Sequence, residues 1–208
     1  GDVKNTTSLT SASVIAADGK ATLGNISNAA KDVTVSKIEG KATKGTATLG
    51  SVDYTGAATF DGKIENISVT STGTAAITEL TKTGTIKADK LGTVTVSSEK
   101  GEAEIGAVTV TGSTTDFTDG TITSLNASAF GAAKIGVIKA DAIGSIVVTS
   151  SDSVTGGAVS LGDISDGSIA VSGKGTVGTV TVSAAGANGA VTVGKISATA
   201  LGNVNVTS

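Results

Sequence analysis

The side chains with the spacing to do chemistry in this chain are carboxylates. Glu102/Glu104, Asp116/Asp119 and Asp163/Asp166 form three close pairs, and two carboxylates flanking a glycosidic bond are the machinery of a polysaccharide-cleaving enzyme. Enzymes of that kind usually surround the pair with Arg, His, Tyr or Trp to hold a sugar. Here there is no Arg, His or Trp, and the single Tyr54 is distant in sequence. Without an imidazole no Ser-His-Asp or Cys-His triad can form. Without Cys there is no thiolate zinc site, cysteine nucleophile or disulfide. The pairs read as solvated turn carboxylates, and no enzymatic activity is expected.

Calcium is the sharper use for the acidic residues. Asp-Gly steps recur at Asp18-Gly19, Asp61-Gly62, Asp119-Gly120 and Asp166-Gly167. Asp bonds back to its own backbone and Gly tolerates positive φ, so turn chemistry alone accounts for such steps. Exported bacterial solenoids also place Asp in Gly-rich turns to bind calcium, although the nonapeptide GGxGxDxUx of calcium-binding β-rolls does not occur here. Asp116 and Asp119 are the densest local acidic pair and the candidate calcium ligands. Asn-x-Ser/Thr triplets begin at Asn5, Asn25, Asn66, Asn126 and Asn205. Asn25, Asn66 and Asn205 fall inside expected strands or corners, where a glycan is awkward. Gly-Lys steps lack the spacing and following helix of a phosphate-binding loop.

The 15 basic residues are all Lys, and against 18 acidic ones they leave a net charge of −3. They are scattered along the chain. Nucleic acid requires a concentrated basic stripe and aromatic stacking platforms, and the only aromatics are Tyr54, Phe60, Phe117 and Phe130. No apolar run approaches the ~20 residues of a membrane helix, and strands of a membrane barrel would need aromatic girdles. Neither nucleic acid nor membrane insertion is expected. The lysines read as solvated surface, with anionic polysaccharide as the partner they would suit.

Any of these residues must be positioned by a body, and the body is repetitive. GKATLGNI at 19–26 returns as GTATLGSV at 45–52, GTAAITEL at 73–80, GEAEIGAV at 101–108, GAAKIGVI at 131–138, GAVSLGDI at 157–164 and GAVTVGKI at 189–196. The leading glycines are 26, 28, 28, 30, 26 and 32 residues apart. Between these copies lies a second family of runs, of which IKADKLGTVTVSS at 86–98 and IKADAIGSIVVTSS at 138–151 are the longest matches, with a looser ISATALGNVNVTS at 196–208.

The unit [Leu/Ile/Val]-Gly-x-[Ile/Val] recurs throughout. Its aliphatics are three apart, whereas same-face strand residues are two apart, so the glycine must bend the chain and let both point inward. Val94/Val96 and Val180/Val182 then resume strict alternation. The expectation is an all-β chain, a parallel β-helix or β-solenoid of about seven coils with 26–32-residue repeats and two or three sides. Leu23, Leu49, Ile77, Ile105, Ile135, Leu161 and Val193 should form one internal ladder, and residues 91, 143, 177 and 201 part of another. Helices are not expected; near 126–134 a single helical turn competes with Phe130 plugging an end or a turn, and the second is favoured. The repeat offers no linker, so 1–208 is read as one solenoid segment. Its last run stops in mid-repeat, and we expect it to be a piece of a longer chain.

A Thr-, Ser-, Ala-, Gly- and Val-rich solenoid with LGxV corners and no Cys, Met or His resembles the large, exported surface-layer proteins of Gram-negative bacteria. The resemblance is compositional and architectural over the whole chain. It implies an extracellular structural protein of the bacterial cell surface that self-assembles laterally, with lipopolysaccharide or another surface polysaccharide as its attachment. Such proteins commonly carry calcium-binding repeats, which this segment lacks. The alternative expectation is the β-helical stalk of a secreted or autotransported adhesin.

Overall fold

The computed structural model describes residues 1–5, 9–28, 34–55, 62–73, 79–110, 120–152, 157–165, 175–186 and 189–208. Among them there is no helix, and the strands form three all-parallel sheets that the chain visits in a fixed cycle. From the first sheet (Lys90–Ser98) it passes to the second (Glu102–Ile105), then the third (Val108–Val110), and returns to the first at Thr121–Ala129. Each strand pairs with its equivalent one repeat later. Parallel neighbours cannot be joined by a hairpin and need a long crossover. Here the other two sheets are that crossover, so corners such as Gly106-Ala107 stay short.

Alternation sets the inside. Along Lys90–Ser98, Leu91, Val94, Val96 and Ser98 are buried, while Thr93, Thr95 and Ser97 face outward. Registered pairing turns each inward position into a column: Ile64, Leu91, Ile122, Ile143, Val177 and Leu201 stack one above another. Residues 91, 143, 177 and 201 thus fall where the spacing places them. All three sheets share one continuous aliphatic core, and each buried Val, Leu or Ile contributes about 1.5–3 kcal/mol.

The second sheet departs from expectation at one position. Its column runs Leu23, Leu49, Thr83, Ile105, Ile135, Leu161 and Val193. Ile77 lies outside the described residues, and Thr83 occupies the place assigned to it. The repeat lengths there are therefore 34 and 22 residues, where the leading glycines suggest 28 and 28. Thr83-Gly84-Thr85-Ile86 is the true corner.

The reason is steric. A Cβ on Gly84 would lie 2.8 Å from the Ser51 amide and 2.9 Å from the Gly50 carbonyl carbon, and one on Gly106 would lie 2.4 Å from the Gly84 oxygen. Such glycines are stacked directly on each other, so the corner selects Gly strictly and the aliphatic before it loosely. Thr83 is Val-sized, and its hydroxyl accepts the Gly106 amide at 3.2 Å.

The Leu-Gly-x-Val unit has two uses. Leu23-Gly24-Asn25-Ile26 turns the corner between the second and third sheets, whereas Leu91-Gly92-Thr93-Val94 kinks a single nine-residue strand and keeps both aliphatics inside. Where a helical turn competed, the chain continues as strand Thr121–Ala129, and Phe130 lies in the turn that follows, the favoured placement.

Candidate functional site

Three carboxylates are buried among the described residues: Asp152 just past strand Ala142–Ser150, and Asp89 and Asp141, which end the two Ile-Lys-Ala-Asp runs between the third sheet and the first. The Asp89 Oδ2 atom accepts the Gly62 amide at 2.8 Å, and the Gly62 carbonyl accepts the amides of Asp89 and Lys90, both at 3.1 Å. One repeat pair further on, the Gly120 carbonyl accepts the amides of Asp141 at 2.8 Å and Ala142 at 3.2 Å. A Cβ on Gly62 would lie 2.1 Å from the Tyr54 oxygen, and one on Gly120 would lie 2.4 Å from Asp141 Oδ2. Glycine in one repeat makes room for aspartate in the next.

Sequence reasoning about paired carboxylates passed over these two. Their signal was the Asp repeated at one place in both long copies, where the looser third copy has Thr199. A lone aspartate at the end of an apolar run, returning in register, marks a backbone-binding corner.

The predicted pairs behave differently. Glu102 and Glu104 lie on the outward face of one strand and are half-exposed. Glu104 stands in register between Lys82 and Lys134, with the Lys134 ammonium 3.4 Å away. They border a shallow groove of about 140 Å³ shared with Leu80 and Ser160. Among the described residues its lining carries no aromatic side chain.

Asp163 is a corner residue whose Oδ1 accepts the Lys195 amide at 2.8 Å. Asp2 and Asn25 do the same for the amides of Asn25 and Ser51 at 2.8 and 2.9 Å. This carboxylate ties one repeat to the next, and Asp166 lies outside the described residues. So do the candidate calcium ligands Asp116 and Asp119. Among the described residues no three His, Cys, Asp or Glu side chains gather as a metal site would require.

Of the Asp-Gly steps, Asp18-Gly19 is a turn with Gly19 at φ 86°, and Asp18 meets Lys44 at 2.9 Å on the exposed surface. Asn66 and Asn205 lie within strands and Asn25 at a corner, as expected, and Asn126 lies within a strand as well. Tyr54 is enclosed at the end of Val52–Tyr54, in register with Ala88. Its hydroxyl has no hydrogen-bond partner among the described residues, and burial pushes its pKa up to about 12.

The carboxylates of Asp2, Asp89 and Asp163 therefore bind backbone amides at the corners, and Glu39, Glu65 and Glu104 meet lysines in exposed pairs of little energetic weight. No described helix is long and apolar enough to cross a membrane. Comparison with family models, curated proteins and solved structures gives no match.

Proposed function

We propose that the chain is a three-sided parallel β-solenoid of about seven coils and a building block of a bacterial surface layer, self-assembling laterally on the outside of the cell. The observation that carries this reading is that the polar side chains of the corners are engaged in joining repeats. Asp89, Asn25 and Asp163 each hold a backbone amide of a neighbouring repeat. Corner glycines and aliphatic columns repeat the same fit along the stack. Such a body is stabilised repeat by repeat through nearest-neighbour contacts, which suits a scaffold. The surface lysines would meet lipopolysaccharide or another anionic surface polymer, and calcium at Asp116 and Asp119 belongs to the same proposal.

Cryo-electron tomography of the producing cell, with this segment intact and deleted, tests the reading. A periodic layer that loses order or height on deletion supports it. Isolated projecting rods, or an unchanged layer, would favour the adhesin stalk instead.

A further inference from the structure

We draw no further inference here: the strongest candidate, the open edge of the last coil, where Leu201, Val204 and Val206 leave the first sheet's aliphatic columns exposed, carries nothing because nothing in the structure shows what covers it.

Discussion

The Asp89 carboxylate accepts the Gly62 amide at 2.8 Å across 27 residues of chain, and the Gly62 carbonyl accepts from Asp89 and Lys90 in return. The glycine's donor and acceptor are both held by the following repeat. A buried donor left unpaired costs more than a hydrogen bond contributes, so the relationship is stronger than its length suggests.

Asp89→Ala should accordingly lower stability by about 2 kcal/mol, read as a shift of the urea midpoint. Asp89→Asn, which keeps an acceptor oxygen, should lose less. Two variants equal to the unmodified chain would mean that the corner does not depend on this contact.

The two classes of glycine should respond in opposite ways to one methyl group. A Cβ on Gly178 would lie 2.1 Å from the Gly144 oxygen, whereas one on Gly40 would meet only Val69 at an ordinary 3.7 Å. Gly178→Ala should cost about 1–3 kcal/mol through forced displacement. Gly40→Ala should be neutral or add up to about 1 kcal/mol by restricting the unfolded chain. Thermal melts of the two variants decide the point, and a stable Gly178→Ala would contradict the stacking.

Thr81 and Thr83 form a second matched pair. Both are buried on one short strand, but the Thr81 hydroxyl has no partner among the described residues while that of Thr83 accepts the Gly106 amide. Thr81→Val should stabilise by about 1 kcal/mol and Thr83→Val destabilise by a similar amount. Denaturant unfolding of each would reveal the opposite signs.

Tyr54 gives the fold an alkaline limit. Its folded pKa of about 12 lies above the 10.0 of an exposed tyrosine, so the unfolded chain loses the proton first and stability falls as pH rises from about 10 to about 12. With one Tyr and no Trp in the sequence, tyrosinate absorbance reports this group alone. Tyr54→Phe should remove that part of the alkaline loss and leave neutral-pH stability the same or higher. A tyrosinate signal rising near pH 10 in the folded protein would refute the burial argument.

Much of the fold was legible because alternation and corner glycines are local signals. Val94/Val96 and Val180/Val182 lie in strands facing inward, and the column through residues 91, 143, 177 and 201 follows from spacing alone. Thr83 was hidden because an aliphatic pattern was sought, while the corner constrains the glycine after it. Gly84 obeys a steric rule that an aliphatic pattern does not express. Asp89 and Asp141 escaped notice for a related reason. The Asp89 carboxylate holds a backbone amide and the main-chain amides of both residues meet glycine carbonyls, and no side-chain motif announces a backbone partner.

The ladder hydrogen bonds of all three sheets run in one direction, the direction in which the repeats are stacked. A load pulling along that direction would meet them in series, and the outermost repeat would peel away while those beneath it held. A load across it would run along the strands and be borne by covalent backbone. The material is therefore anisotropic in the way of laminated sheet: stiff in the plane of each layer, and yielding between layers one at a time.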